Sequence, residues 1–132
     1  MTNIDLRNYV LSEQHSLISD AVIKFELNKS RTVFIADDKM KLKGVITEGD
    51  VVRALLSGIE FKSAAKGIIN ISFKFVTESS NINYDRFEAM KLIPQMNLLA
   101  VPIVNSDMIL IEVVTIEDYF DFTAGMLNDY QK

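Results

Sequence analysis

The chain has 132 residues, 48% hydrophobic and 24% charged, so it can build a core in one compact domain or in two small ones. Its net charge of −4 argues against nucleic acid as a partner, because phosphate binding needs a basic surface. It has no cysteine, which excludes disulfides and thiolate sites, and no apolar run approaches the roughly 20 residues that span a bilayer. We therefore expect a soluble cytoplasmic protein that binds neither nucleic acid nor membrane.

The first half of the chain predicts a helix, two strands and a helix. Apolar residues recur at i, i+1, i+4, i+5 and i+8 over 17–25, the spacing of one helical face. A β-rich run covers Thr32–Ala36, and after a polar turn a second strand covers Leu42–Thr47. A helix over about 48–57 then stops at Gly58, a residue typical of helix C-termini.

The second half repeats this order after a connecting segment. The predicted elements are a short helix at 61–69, a strand at 71–76, a helix at 85–97, strands at 99–104 and 108–115, and a helix from 116 to about 127.

The two halves align with each other at a spacing of 68 residues. Residues 21–56 match 89–124 without a gap, with eight identities over the 36 positions. Most identities are apolar, but a polar pattern, Thr-x-x-Asp, also recurs before the last helix of each half. One copy of about 55 residues buries too little surface to fold alone. The pattern therefore predicts an α/β fold of two β-α-β-β-α repeats, 1–60 and 61–132, packed sheet to sheet about a pseudo-twofold axis.

The first Thr-x-x-Asp motif resembles that of the CBS domain. The family pattern is an apolar strand that ends in Gly-x-x-Thr/Ser-x-x-Asp, and Gly44-Val-Ile-Thr-Glu-Gly-Asp50 matches it. The second copy offers Leu-Ala-Val-Pro-Ile-Val at 99–104, similar to the family's Val-Pro-Val-Val strand, and Thr115-Ile-Glu-Asp118, but it has Glu112 where the family has glycine. The resemblance covers about 6–122 and implies a tandem CBS pair, or Bateman module, similar over 44–58 to pairs attached to sugar-phosphate nucleotidyltransferases and isomerases.

Thr47 and Asp50 have two interpretations. From the residues alone they form a capping box, in which Thr47 caps the helix and Asp50 returns a hydrogen bond to the backbone. In the alternative, Asp50 accepts hydrogen bonds from ribose hydroxyls, and the helix N-terminus beside it favours a phosphate. CBS modules hold ribose with this Thr/Ser and Asp, so the resemblance favours a binding site.

The resemblance also implies the ligand and its other contacts. The ligand would contain adenosine, as AMP, ADP, ATP or S-adenosylmethionine do, and no cofactor would be required. By position in the family pattern, Arg31 and Thr32 would contact phosphate, and adenine would lie in an apolar slot near Phe73, Leu98 and Leu99. The simpler alternative is core packing for the three apolar residues and a solvated surface position for Arg31.

Thr115 and Asp118 form the second candidate site, faced by Lys29 and Ser30 of the first copy. Glu112 and Asp121 stand where the first copy has a glycine and an arginine, and their charges should repel a phosphate. We therefore expect this site to be unused, altered or reserved for an uncharged adenosine group.

No catalytic or metal-binding residue is predicted. The single histidine, His15, lies in a polar stretch before the first helix, and the chain contains neither a nucleophile elbow nor a glycine-rich phosphate loop. We interpret the chain as a regulatory module, not an enzyme, that senses an adenine nucleotide and signals to a partner such as a fused sugar-phosphate nucleotidyltransferase domain. The alternatives are a structural dimerisation module with degenerate clefts and a small enzyme on an unrelated α/β fold.

The helices that follow the two motifs are apolar on more than one side, which predicts a homodimer through the helical faces. The residues concerned are Val51, Val52, Leu55 and Leu56 in the first copy and Tyr119, Phe120, Phe122 and Met126 in the second.

Overall fold

The computed structural model describes residues 4–131 and contains two similar α/β units. The first unit contains β1 (Val10–Ser12), α1 (Ile18–Asn28), β2 (Thr32–Ala36), β3 (Leu42–Thr47) and α2 (Glu48–Leu56). The second contains β4 (Val76–Thr77), α3 (Ile82–Met96), β5 (Ala100–Val104), β6 (Leu110–Thr115) and α4 (Ile116–Gln131). Short 3-10 helices precede β1 (Leu6–Tyr9) and β4 (Ala65–Ile68). The predicted β-α-β-β-α order is confirmed in both units.

Each unit has a three-stranded sheet with its second strand in the centre. The first strand is parallel to the central one, and the third is antiparallel to it. Thr32 pairs with Thr47 in the first sheet, and Ala100 pairs with Thr115 in the second. The pairing register shifts at Ile35/Ala36 in the first sheet and 68 residues later, at Ile103/Val104, in the second. The spacing of the sequence repeat therefore also relates the strand pairing of the two sheets.

The central strands, β2 and β5, are buried on both faces. One face of each strand packs against its own helices, and the other packs between the two units. Val33 and Ile35 of β2 pack under α1 and α2 in a helical core. Phe34, on the opposite face of β2, belongs instead to a core shared with Val104 and Val113 of the second sheet. Since a strand points alternate side chains to opposite faces, one short strand serves both cores. The predicted sheet-to-sheet packing is confirmed.

The segment that joins the units differs from the prediction. A 3-10 turn, Ala65–Ile68, replaces the helix predicted at 61–69, and the strand predicted at 71–76 is reduced to Val76–Thr77. Ala65 is buried in the helical core of the first unit, and residues 68 and 69 pack against the same core. The segment therefore follows the surface of the first unit, because this contact buries apolar side chains that an isolated helix would leave exposed.

The third helix begins earlier than the sequence indicated. It starts at Ile82 instead of near residue 85, because the Asn81 side chain accepts hydrogen bonds from the first free backbone N–H groups of the helix. None of the described helices has the length and apolar character needed to cross a membrane.

Candidate functional site

Thr47 and Asp50 form a complete capping box where β3 meets α2. Asp50 Oδ2 accepts the Thr47 backbone N–H at 2.8 Å and the Thr47 hydroxyl at 3.0 Å, while Thr47 Oγ1 accepts the Asp50 N–H at 3.3 Å. The local interpretation of Thr-x-x-Asp is therefore confirmed. It does not exclude a ligand, since the same bonds fix the orientation of the carboxylate.

The second copy has the same box at Thr115 and Asp118. The corresponding distances are 2.9, 3.2 and 3.2 Å. The two boxes differ in what surrounds them. At the first, Arg53 Nη2 donates to Asp50 Oδ1 at 2.8 Å, whereas the second copy has Asp121 at the position of Arg53.

The hydrogen bonds of Asp50 limit how it can hold a ribose. Oδ2 already accepts two hydrogen bonds, which uses both of its lone pairs. Oδ1 accepts one from Arg53, so it has capacity for one further donor. In this arrangement the carboxylate can accept a single ribose hydroxyl, and accepting both requires Arg53 to move. The Arg53 side chain is 71% exposed and packs little, so its displacement is inexpensive.

A cavity of about 440 Å³ opens beside the first box, between the two sheets. Six of the nine predicted site residues line it, and they come from both units. They are Arg31, Thr32, Thr47, Phe73, Leu98 and Leu99. Asp50 is not among the lining residues but is hydrogen-bonded to Thr47, which is. Thr115 and Asp118 form the box of the second copy.

One wall of this cavity depends on Gly44. The backbone of residues 69 and 70 crosses β3 at this point, and Asn70 exchanges two backbone hydrogen bonds with Val45 at 2.9 and 3.0 Å. A Cβ at Gly44 would lie 2.7 Å from the Asn70 carbonyl oxygen and would also collide with the Ile69 side chain. The family-like glycine therefore lets the connecting segment approach β3 and form the wall that includes Asn70 and Phe73.

The charges at the cavity mouth are mixed. Arg31 has a φ of 52°, in the left-handed region, which costs about 1–2 kcal/mol for a residue with a Cβ. Its Nε lies 3.8 Å from Glu48 Oε2, and both side chains are more than half exposed, so this ion pair is weak. Lys74 also lines the cavity. The sequence reasoning missed Lys74, because the strand predicted through it gave no reason to place it at a cleft.

The second cleft is built differently, since Tyr9 of the 3-10 helix is buried in it with only 2% of its surface exposed. The Tyr9 hydroxyl lies 2.6 Å from Ser30 Oγ, the residue predicted to face this site. Burial raises the pKa of Tyr9, and the nearby carboxylates of Glu117 and Asp118 raise it further, against the opposite effect of the Ser30 hydrogen bond. Sequence reasoning overlooked Tyr9, because it lies outside the repeated segment.

Glu112 does not face this cleft, contrary to the expectation. It pairs with Ile103, whose side chain points into the core under α3. Its Oε1 accepts a hydrogen bond from Arg86 Nε of α3 at 2.8 Å, and both side chains are less than one-third exposed. Its charge is thus paired on the helical side of the sheet, which removes it as a source of repulsion at the second site.

Residues 4–57 match the family model of the CBS domain. Among solved structures, a Vibrio cholerae protein assigned to acetoin utilization (AcuB) is similar over 94% of this chain and 89% of its own, with a TM-score of 0.73 and 20% identity. A CBS domain protein from Pyrobaculum aerophilum, complexed with AMP, is similar over 83% of this chain and 80% of its own, with a TM-score of 0.66 and 21% identity. These similarities show the fold, and together with the family match they support a CBS domain pair.

A curated relative is the magnesium transporter MgtE of Bacillus subtilis. It is 28% identical over 138 residues, which cover the whole of this chain but only 28% of the transporter. The chain therefore spans about a quarter of the length of this relative.

Proposed function

We propose that the protein is a regulatory CBS pair that binds an adenine nucleotide or another adenosyl ligand in the first cleft and signals occupancy to a partner. The observation that carries this proposal is the cavity beside the Thr47 box, in which six residues chosen from sequence meet from both units. Its volume of about 440 Å³ lies within the 300–1,000 Å³ usual for small-molecule sites. A ligand there would contact both units and would therefore be sensitive to their relative position.

The lining of the cavity suits the parts of a nucleotide. Phe73, Leu98 and Leu99 provide apolar surface for a base, and Thr47 with the free capacity of Asp50 Oδ1 provides acceptors for ribose. Arg31 and Lys74 provide positive charge near the N-terminus of α2, where the helix dipole also favours an anion. Because Glu48 offsets part of this charge, we propose a monophosphate such as AMP as the ligand before ADP or ATP. The remaining positive charge disfavours S-adenosylmethionine, whose sulfonium is a cation.

The partner and the assembly belong to the same proposal. We propose a homodimer through the helical faces, where Leu56 is 83% exposed and Phe120 is 56% exposed. A catalytic or transport domain attached to the pair would receive the signal. A sugar-phosphate nucleotidyltransferase in that role, a cytoplasmic location and the lack of any catalytic activity stay predictions.

Calorimetric titration of AMP, ADP, ATP and S-adenosylmethionine into wild-type protein, Asp50→Ala and Asp118→Ala tests the ligand and the cleft. Each variant loses the bonds that the carboxylate accepts, whereas the threonine still caps the helix, so each should cost a similar amount of stability, about 0.5–1.5 kcal/mol. Only Asp50→Ala should lose most of the heat of AMP binding. Equal losses would show that capping, not ligand contact, explains the effect, and loss only in Asp118→Ala would place the ligand in the other cleft.

The alternative is a structural dimerisation module, and the exposed apolar helical faces favour it as much as they favour a regulated dimer. It predicts that none of the four compounds gives heat or raises the melting temperature of the wild-type protein. A dimer that forms without any response to ligand would support this alternative.

A further inference from the structure

A second cavity, of about 470 Å³, lies on the helical side of the first unit as a groove between α1 and α2. Its apolar lining comes from both helices and from the segment after α2: Val22, Phe25, Val51, Val52, Leu55 and Phe61. Arg31 and Glu48 line this helical groove and also the cavity between the sheets. Among the described residues they alone belong to both linings, so they form the boundary between the two spaces.

Arg31 and Glu48 are joined by two contacts, of which the second unit has only one. The Glu48 backbone N–H donates to the Arg31 carbonyl oxygen at 3.1 Å, and the Arg31 Nε lies 3.8 Å from Glu48 Oε2. At the corresponding positions, 68 residues later, the Ile116 N–H donates to the Leu99 carbonyl oxygen at 2.9 Å. Since the backbone bond forms there between two apolar residues, the fold does not require the ion pair.

The backbone of Arg31 is also specific to the first unit. Lys29 and Met40 are left-handed, and the residues 68 positions after each of them are left-handed too. Arg31, with a φ of 52°, has no such counterpart in the described chain, because Leu99 is not left-handed. A left-handed residue with a Cβ is strained, and such strain is concentrated at binding and switch sites. The repeated fold therefore does not explain this conformation, which indicates a function of Arg31 in the first unit alone.

The ion pair is weak enough for a ligand to break it. Its atoms are 3.8 Å apart, and the side chains of Arg31 and Glu48 are 64% and 55% exposed. The phosphate of a monoester carries a charge of about −1.5 to −2 at pH 7 and accepts two parallel hydrogen bonds from a guanidinium. Because Arg31 also lines the cavity between the sheets, a phosphate bound there attracts its guanidinium more strongly than Glu48 does.

We propose that Arg31 is a switch that leaves Glu48 for the phosphate of the bound nucleotide and so changes the charge at the helical groove. This inference rests on the proposed function of the first cleft and states how occupancy is signalled. Before AMP binds, Arg31 neutralises Glu48 at the boundary; once AMP binds, Glu48 presents an uncompensated negative charge to the groove. The groove lies between α1 and α2, on one of the helical faces of the proposed homodimer, so the signal reaches the surface where a partner would bind.

A tryptophan in the helical groove tests this transmission. The chain has no tryptophan, and Phe61 lines the groove but not the cavity between the sheets, so Phe61→Trp gives a single reporter. Saturation with AMP, verified by calorimetry, should change the emission of this tryptophan. Saturation with adenosine should leave it unchanged, because adenosine has no phosphate to attract Arg31. Val52→Trp, at a groove position that is 49% exposed, replaces Phe61→Trp if that variant does not fold.

Glu48→Gln in the reporter protein tests the role of the ion pair. Arg31 is then free before AMP arrives, so AMP should bind about 1.5- to 5-fold more tightly and most of the emission change should be lost. Glu26→Gln is the matched control, since it removes the same charge from the groove at a residue that does not line the cavity between the sheets. It should keep both the affinity for AMP and the emission change.

The outcomes separate the switch from the proposed function. If AMP gives heat but the tryptophan does not respond, or responds equally to adenosine, the switch is overturned and the ligand site stands. An emission change that persists in Glu48→Gln, or an affinity for AMP that does not rise in it, also overturns the switch. If neither AMP nor adenosine gives heat, the proposed function fails and the switch fails with it.

Discussion

The guanidinium of Arg53 donates a 2.8 Å hydrogen bond to Oδ1 of Asp50, the one oxygen of that carboxylate with capacity for a ligand. The two residues are three apart on α2, and Asp50 is only 18% exposed whereas Arg53 is 71% exposed. Oδ1 can accept one ribose hydroxyl beside Arg53, so Arg53 and the second ribose hydroxyl compete for the same acceptor. The charge of Arg53 favours a phosphate, whereas its hydrogen bond to Asp50 opposes the binding of both ribose hydroxyls.

Replacing Arg53 by alanine should tighten adenosine binding. An exposed ion pair is worth about 0.2–1 kcal/mol, so releasing Asp50 should raise the affinity about 1.5- to 5-fold. Adenosine is the suitable probe, because it has no phosphate that would lose the arginine charge. Arg86→Ala, which breaks an ion pair with Glu112 on the helical side of the sheet, is the matched control and should leave the affinity unchanged. Weaker adenosine binding by Arg53→Ala, measured by calorimetry, would contradict the competition.

Gly44→Ala should destabilise the protein and weaken ligand binding together. The added methyl group meets the Asn70 carbonyl oxygen at 2.7 Å, and because this is backbone the connecting segment must shift. Such overpacking costs about 1–3 kcal/mol in urea-induced unfolding. Gly67→Ala is the control, since its methyl group has open space within 4 Å and should change stability by less than about 0.5 kcal/mol. A Gly44→Ala protein as stable as the control would show that the crossing at Asn70 is not tight.

Tyr9 should make the protein sensitive to alkaline pH. Because burial raises the pKa of this phenol in the folded state, its protonated form favours folding. Its contribution is complete below the unfolded pKa of about 10 and is lost as the pH rises through the higher folded value. Tyr9→Phe should therefore lose less stability than wild type above about pH 10, although it is less stable at pH 7 by about 0.5–1.5 kcal/mol for the lost hydrogen bond.

Melting temperatures between pH 8 and 11.5 measure this effect. Tyr84→Phe, at a side chain that is 56% exposed, should follow the wild-type curve. Parallel curves for wild type and Tyr9→Phe would refute the assignment to Tyr9.

The exposed helical faces should mediate the homodimer. Leu56→Lys and Phe120→Lys place a charge in an apolar contact and should convert the dimer to a monomer of about 15 kDa in light scattering. Ile71→Lys is the control, since Ile71 is 77% exposed but belongs to the connecting segment and to neither α2 nor α4. A monomeric wild-type protein, or a dimer that only Ile71→Lys disrupts, would contradict this arrangement.

The sequence by itself determined the helix–strand–strand–helix order within each half, the bounds of β2 and β3, and the capping box of Thr47 and Asp50. These features depend on contacts between residues close in the chain, such as the bonds of Thr47 with Asp50, and on the alternation of apolar residues. The 68-residue repeat extended these predictions to the second unit, because similar sequence patterns predict similar local structure. Six of the nine proposed site residues also met at one cavity, since the repeat and the family pattern together specify which strand ends face each other.

The tertiary structure decided the rest, because it depends on contacts between residues far apart in the chain. Arg86 neutralises Glu112 from a helix 26 positions away, and Tyr9 reaches Ser30 across 21 positions. The connecting segment has apolar residues at 61, 64, 65, 68 and 69 and alternating ones at 71, 73 and 75, which predicted a helix and a strand. Its course was set instead by the contact of Ala65 with the core of the first unit. Packing between the two units also decided that the first cleft contains a cavity and that Tyr9 is buried in the second. The local spacing of residues does not encode such packing.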